Sequence, residues 1–525
     1  MHVSFTYLNL TAMVRFIPQF VVCLLAYTAS AQQSTGLLWE RTLGGNQTDI
    51  GRKLARTADG GLVVVGGSAS VSATSSATMG DLDVWVVRLD ANGAPLWHRN
   101  FGGSGHDLAL YVDVHDDGRI TVIGRTASPN GDLGAPLPNA DYFLLTLNAD
   151  GDPLIAQRFS AGPSEQTDLA TCVRLDDGSY AAIGSKLVYP SAGPVNVDVM
   201  VLRLTATGTV LWVETFGGFG YDSGIGINTS PGGKIIASCS TRSSNGDVTG
   251  YMGLGDGWLL EVSTSGELIS QRTLGGAFDD QISDALQTSE GHFVVTGYYS
   301  YEMMSFGSLQ PSTRVVIEKL TPNGQSIWRH DLGGTNGDYG WHIRQAPDGG
   351  YLLFAYAYSN DGDVTGFAGT IDAWLVRLDE QGELLWQRTF GGFEEESVGD
   401  IALTADGGCV LLMVASGPNA EMSQYFGGID TWVVRLGPEL STATAPQADD
   451  QEGVRITQVP GGFAVQVDTR TGPAQCLVRD VAGRLLHSST LAPGLHTLPL
   501  PSHAGIYMIG VQAGGRTTTA RVVQQ

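Results

Sequence analysis

One pattern recurs seven times between Trp39 and Leu436, and five of its six spacings fall within one residue of 58. Each copy is anchored by a glycine pair: Gly44-Gly45, Gly102-Gly103, Gly217-Gly218, Gly275-Gly276, Gly333-Gly334 and Gly391-Gly392, with Ala161-Gly162 in the third copy. A second anchor, an acidic residue opening an aromatic-apolar run, stands at Asp83, Asp141, Asp198, Asp256, Asp372 and Asp430, and Arg314 takes the remaining slot. Self-similarity at such a period is the mark of stacked or ring-arranged units, each unable to bury its apolar face alone.

Within a unit the pattern is β throughout. In the sixth, Ser326 to His330 is a short strand running up to Gly333-Gly334, and Tyr339 to Ala346 is a second. Asp348-Gly349-Gly350 turns into Tyr351 to Tyr356, and after a loop Asp372 to Leu378 turns at Asp379 to Gly382 into Leu384-Leu385-Trp386. Asp-Gly and Asn-Gly corners supply the positive φ that tight hairpins need. Four short strands joined in this way form one propeller blade, so seven copies predict a seven-bladed β-propeller over residues 32–440. A parallel β-helix uses a shorter rung, and no run has the helical period of an α-solenoid. The pattern begins mid-unit at Leu37 to Thr42 and stops at Asp430 to Leu436, one strand short. Residues 37–43 are therefore expected to pair antiparallel with 430–436, because an unpaired strand edge is a liability.

Trp39, Trp97, Trp212, Trp328 and Trp386 each precede the first glycine by five residues, and Trp85, Trp258, Trp374 and Trp432 sit mid-strand. Recurrence at this level favours packing between blades over ligand stacking. Cys172, Cys239, Cys409 and Cys476 show no C-x-x-C spacing and are expected as buried free thiols. The chain carries a net charge of −24, and its basic excess is confined to the tail after Val454, with six Arg against two Asp. A strongly acidic body repels phosphate, which argues against nucleic acid and anionic membranes as partners.

Residues 1–31 have the form of a signal peptide, with Arg15 before an apolar stretch from Phe16 to Ala26 and Ala29-Ser30-Ala31 as the cleavage site; Met13 is an alternative start. The apolar run is too short to span a bilayer, so no transmembrane segment is expected in the mature chain. Residues 441–452 have linker composition. Residues 453–525 contain alternating runs at Phe463 to Val467, Gln475 to Arg479, Gly505 to Val511 and Thr518 to Val523, which predict a small immunoglobulin-like β-sandwich. The predicted class is thus all-β, a propeller followed by a sandwich.

That tail resembles the C-terminal sorting domain (type A) carried by cargo of the type IX secretion system of Gram-negative bacteria. Asp480-Val481-Ala482-Gly483-Arg484 matches the family's D-x-x-G-R turn, Gly505-Ile506-Tyr507 its GIY strand, and Thr519 to Val523 its basic-apolar last strand, with Arg521 where Lys is common. The resemblance implies passage through the periplasm and across the outer membrane, release or surface attachment, and the type IX machinery as partner. Asp480, Gly483, Arg484, Gly505, Ile506 and Tyr507 would carry the sorting signal. An ordinary sandwich, such as a carbohydrate binder, is the alternative. The repeats likewise resemble bacterial propeller repeats of the G-x-x-x-W-x-x-x-x-G-G-x-x-x-D kind, as at Gly93 to Asp107 and Gly324 to Asp338, which imply the fold and no agreed activity.

Function classes remain open at this level: a secreted or surface-displayed scaffold binding a glycan or protein, a propeller enzyme acting on extracellular polysaccharide, or a structural surface protein without a ligand. His98, His106, His115, His292, His330 and His342 are scattered, and H-E-x-x-H and G-x-S-x-G are absent. Asp90 to Trp97 reads D-x-x-G-x-x-x-W, similar to a sialidase Asp-box but too widely spaced. Two sets of carboxylates are candidate sites. Asp132, Asp247, Asp361 and Asp363 lie in loops that project from the scaffold, where recognition concentrates, as does the segment Tyr298 to Phe306. Asp49, Asp107, Asp222, Asp280, Asp338 and Glu396 each follow a glycine pair by four residues, with Gln166 interrupting the series. They are candidates either for a ring of metal ligands, with calcium as the cofactor, or for hydrogen-bonded turn caps.

Overall fold

The computed structural model describes residues 36–71, 79–137, 142–162, 167–189, 195–305, 308–419 and 421–438, and in the tail the strands between 454 and 524. The signal-peptide segment 1–31, Asp141, Gln166, Gly483 and Arg484 lie outside the described residues. The chain divides into two compact units at Leu440/Ser441. Every element among the described residues is a strand.

The first unit is a seven-bladed β-propeller made of seven four-stranded antiparallel sheets. Blade 1 is residues 49–101, with strands Asp49–Arg56, Leu62–Ser68, Asp83–Leu89 and Pro95–Phe101 in spatial order. Blades 2 to 6 span residues 107–159, 167–216, 222–274, 281–332 and 339–390, and blade 7 spans 396–436 and takes its fourth strand from Leu37–Leu43. The first strand of each blade neighbours the first strand of the next, which closes a ring around a central channel.

The second and third strands explain the long apolar runs. Leu62–Ser68 and Asp83–Leu89 are buried at every residue, because each blade is covered on both faces. Val84 and Val86 pack toward blade 2, against Ala109, Val122 and Phe143, while Trp85 and Val87 pack toward blade 7, against Leu412 and Val433. Each such side chain removed from water contributes about 1.5–3 kcal/mol. The mid-strand Trp85, Trp258, Trp374 and Trp432 are fully buried, and Cys172, Cys239, Cys409 and Cys476 are buried thiols.

The outer-strand tryptophans join neighbouring blades differently. Trp39, Trp97 and Trp212 donate their Nε1 hydrogen to Ala91 O at 3.1 Å, Ala149 O at 3.0 Å and Thr264 O at 3.1 Å, each in the last turn of the next blade. The ring lies over the glycine of that turn. Gly93 has φ +77°, and a side chain there would both strain the backbone and strike the Trp39 indole. The Asp-box-like segment from Asp90 is this turn, with Asp90 Oδ1 accepting from Asn92 N and Ala94 N, both at 2.8 Å.

The ring closes by strand exchange as expected, with Leu37–Leu43 antiparallel to Asp430–Leu436 in a register running from Leu37↔Leu436 to Leu43↔Thr431. One expectation is corrected. The sequence places Tyr298 to Phe306 in a projecting loop, but Phe293–Ser305 and Ser308–Leu320 form one long hairpin paired out to Ser305↔Ser308, and Phe306 lies outside the described residues. The β-forming Tyr-rich run extends the sheet instead of leaving it.

The second unit contains two antiparallel sheets. One orders Val454–Val459, Gly462–Val467 and Gly494–Pro499, and the other orders Leu485–Leu491, Ala474–Asp480, Gly505–Ala513 and Arg516–Gln524. Asp480 pairs in register with Tyr507, so the strand that opens the D-x-x-G-R run and the Gly505-Ile506-Tyr507 strand are adjacent.

Candidate functional site

The carboxylates that follow the glycine pairs are all buried. Each is engaged within its own junction. Asp49, Asp107, Asp222, Asp338 and Glu396 accept from the second glycine of their pair, at Gly45 N 2.7 Å, Gly103 N 2.9 Å, Gly218 N 2.9 Å, Gly334 N 2.8 Å and Gly392 N 3.0 Å. Asp280 accepts from Gly276 N at 2.5 Å and Ser300 N at 2.8 Å. Hydroxyls complete several of them, such as Ser128 Oγ to Asp107 and Ser359 Oγ to Asp338. In blade 3 the pairing register puts Thr167, not the neighbouring Gln166, in this slot. Among the described residues no three His, Cys, Asp or Glu side chains converge as a metal site.

A second carboxylate faces each of five of these from the blade before. A Cβ built on Gly44, Gly102, Gly217, Gly275 or Gly391 would collide with both members of Asp430/Asp49, Asp83/Asp107, Asp198/Asp222, Asp256/Asp280 or Asp372/Glu396. The first glycine of each pair is therefore a CH2 group held between two carboxylates. Burial, with the facing carboxylate adding to it, raises Asp198 and Asp430 to about 6, and burial raises Glu396 to about 7.

The loop carboxylates serve the same turns. Asp132, Asp247 and Asp363 accept from Gly102 N at 2.8 Å, Gly217 N at 3.1 Å and Gly333 N at 3.0 Å. Asp361 accepts from Thr335 N at 2.8 Å. These four tie loop to turn in blades 2, 4 and 6.

Side chains that differ from blade to blade come together elsewhere, on the channel wall. Every innermost strand carries a β-bulge at one equivalent place, and the residue it leaves unpaired is Arg52, Leu110, Ala170, Ile225, Ser283, Trp341 or Gly399 in blades 1 to 7. All seven line a cavity of about 780 Å³ on the channel. A bulge re-aims a side chain that regular pleating would send into the sheet stack. Where the rest of the repeat keeps its residue types, this ring holds an arginine, a tryptophan, three aliphatic residues, a serine and a glycine.

Beneath the bulges two polar clusters bind the inner strands together. Asp284 Oδ2 accepts from Arg344 Nη1 at 2.8 Å and Ile343 N at 3.1 Å, and its Oδ1 accepts from Asn228 Nδ2 at 2.7 Å. Asp400 accepts from Leu54 N at 3.2 Å and lies 3.5 Å from Lys53 Nζ and 3.4 Å from Arg344 Nη2. His342 sits between them, its Nε2 3.0 Å from Gly399 O. Burial pushes Asp284 up, but the His342 hydrogen bond and the Arg344 charge outweigh it and hold the carboxyl well below its usual range. On the other side, Tyr180 Oη is 3.3 Å from His115 Nε2 and 3.4 Å from Asp113, and Arg174 Nη1 is 3.4 Å from Asp113. Tyr180 is fully buried and His115 nearly so, which places this group in the wall and not on it.

The mouth is different. Arg52 makes no hydrogen bond or ion pair among the described residues, though Arg125, Tyr356 and Asp168 lie close enough for their charges to act on it. Burial, then the Arg125 charge, lowers its pKa. Trp341 meets the Tyr356 ring edge-on, with centroids 5.6 Å apart, and Tyr356 Oη donates to Val398 O at 3.1 Å. Sequence reasoning did not single out Arg52 or Trp341. The signal was the alignment column that follows Gly51, Ala109, Leu169, Gly224, Ile282, Gly340 and Val398, where the copies agree least.

No known family profile matches the chain, and neither does any curated protein. Among solved structures it is similar to the Pan2 WD40 domain of Neurospora crassa, at 12% identity and a TM-score of 0.41 over 76% of this chain and 95% of that one. It is similar to the polysaccharide lyase Uly1, at 9% identity and 0.43 over 75% and 92%. It is also similar to PorZ, a surface component of the type IX secretion system of Porphyromonas gingivalis, at 11% identity and 0.19 over 90% and 81%. At these TM-scores the likenesses carry no argument about this chain.

Proposed function

We propose that the protein is an exported binding scaffold, secreted or displayed on the outer cell surface, whose ligand enters the channel from the face bearing the glycine pairs. The observation behind this reading is the ring of seven bulged residues. Seven equivalent positions are turned toward one cavity, and no residue type occurs twice among them. A cavity of about 780 Å³ is within the range of small-ligand sites. Aromatic residues mark the same face, with Phe393 88% and Phe219 58% exposed directly after their glycine pairs. Glycans and protein segments are the ligand classes such a wall suits.

The test is a plug. Ile225→Trp or Ala170→Trp adds a ring to the cavity wall without touching the blade cores, so it should abolish ligand capture in a glycan array while leaving the melting temperature within a few degrees. Binding that survives both plugs would move the site out of the channel.

Delivery is assigned to the tail. The two sheets of the second unit support an immunoglobulin-like sandwich, and its motifs support sorting by type IX machinery. Deletion of residues 453–525 should leave a folded propeller in the periplasm, since the units have separate cores. Appearance of the truncated protein in the medium would refute the sorting role.

A further inference from the structure

The ligand's chemistry can be read from the channel mouth, given that the channel is the binding site. We propose that the mouth binds an acidic saccharide, with Arg52 taking a carboxylate or sulfate ester and Trp341 taking the face of a sugar ring.

The case begins with Arg52. Elsewhere in the propeller arginines at equivalent positions repeat with their partners: Arg88 with Asp59 at 2.6 Å, Arg377 with Asp348 at 2.5 Å and Arg435 with Asp406 at 2.6 Å. In a chain with a net charge of −24, Arg52 nonetheless has no such partner among the described residues and is turned by its bulge onto the cavity. Its neighbour Arg125 is only loosely compensated, with Asp168 at 3.6 Å. Two guanidiniums sharing one mouth repel each other, and an anion between them removes that cost. Guanidinium is the side chain that receives a carboxylate or sulfate through two parallel hydrogen bonds.

Beside it is a stacking surface. Trp341 is a bulged residue of blade 6, one blade removed from Arg52 across blade 7, and its Nε1 has no partner among the described residues. Tyr356, braced by its bond to Val398, meets the indole at a steep angle, and Trp341 and Tyr356 both line the cavity. Across the channel Leu110, Ala170 and Ile225 form an apolar wall. A sugar ring, with C–H groups on its faces and hydroxyls at its rim, fits between an indole and such a wall. Asp168 and Glu395 line the same mouth, so it is not a basic field. That balance disfavours nucleic acid and densely charged polymers, whose binding depends on several cations at once. It suits a saccharide with isolated acid groups.

Calorimetry on the full mature chain tests this with three probes: oligogalacturonate for carboxylate, a sulfated galactan oligosaccharide for sulfate, and the methyl ester of the oligogalacturonate as the neutral form. One or both acidic probes should bind, and the ester at least about ten-fold more weakly. Arg52→Gln should remove that preference and Arg52→Lys restore part of it, while Trp341→Ala should weaken the acidic and neutral forms alike. Quenching of tryptophan fluorescence by the bound probe, lost in Trp341→Phe, gives a second readout that does not depend on the alanine variant folding. The inference is overturned if neither acidic probe binds, if the ester binds equally well, or if Arg52→Gln changes nothing. The plug Ile225→Trp separates the two levels. Equal binding of acid and ester that the plug abolishes refutes acid recognition and keeps the channel, whereas binding that the plug leaves intact refutes the channel itself.

Discussion

The propeller buries two populations of carboxylates and treats them in opposite ways. At the blade junctions, Asp49, Asp107, Asp222, Asp280, Asp338 and Glu396 face backbone N–H groups and hydroxyls, and five of them also face a second carboxylate across a glycine. On the channel wall, Asp284 and Asp400 face Arg344, Lys53 and His342. The first arrangement recurs around the ring, and within it burial raises Asp280, Glu396 and the facing Asp430; the second occurs once, and its cationic partners hold Asp284 and Asp400 low. Asp284 and Asp400 are held low although they too are buried, so partners decide the difference. Repetition marks what every blade needs in order to fold, and the break in repetition marks what the ring is shaped around.

The largest expected effect is at the channel. Asp284→Ala removes the closer of the two carboxylates that Arg344 and His342 face in a buried setting, leaving Asp400 to balance both, and should cost about 3–5 kcal/mol in urea unfolding. A loss under about 1 kcal/mol would mean that the cluster is hydrated and the contrast with the junctions is false. Next are the junction caps. Asp222→Ala and Asp338→Ala each strand a glycine N–H and a serine hydroxyl, for about 1–3 kcal/mol each. They lie in separate junctions and should add. Melting in EDTA and in calcium should coincide; a calcium shift abolished by two or three such substitutions would instead indicate a shared ion.

A pH series sharpens the comparison further. Acids raised in the fold contribute stability that is complete below their unfolded pKa near 4 and is lost as pH rises through the folded value. For Asp198 and Asp430 at about 6 and Glu396 at about 7, the loss falls between roughly pH 4 and 7. Asp284 and Asp400 have the opposite sign, losing stability only as pH falls below about 4. The melting temperature should therefore peak near about pH 4. Asp430→Asn should flatten the decline between about pH 4 and 6, and an unchanged slope there would remove Asp430 from the account. The smallest effect separates two copies of one repeated residue. Trp97→Phe loses its bond to Ala149 O and should cost about 1 kcal/mol, while Trp386→Phe should cost less. Its Nε1 is buried without a partner among the described residues.

Much of this frame was legible in the sequence. The 58-residue period predicted the blades, the half-unit at each end predicted the pairing of Leu37–Leu43 with Asp430–Leu436, and the lack of paired cysteine spacing predicted free thiols. The carboxylates were visible as a column, but not their facing partners, because Asp83 and Asp107 belong to different blades and meet only through packing. The channel site was hidden for a local reason. A strand read by strict alternation assigns Arg52 and Lys53 to opposite faces, whereas the bulge between Gly51 and Lys53 sets both on the cavity. One extra residue also explains the third blade, where Gly162 precedes Thr167 by five positions and moves the slot off Gln166.

The exchanged strand has a topological consequence. Gly437 N donates to Gly36 O at 2.9 Å, so the two ends of the propeller meet where every other blade has a turn. The ring is in effect a cyclic chain with one nick, and the nick lies where the Trp386 indole would otherwise find its carbonyl. Joining residue 437 to residue 36 through a short Asp-x-x-Gly turn, and opening the chain at the Asp90–Gly93 turn instead, would leave every sheet intact and move the seam by one blade. Until residues 430–436 have been made, blade 7 has no strand for Leu37–Leu43 to pair with, so the propeller's last strand is the one that locks its first in place.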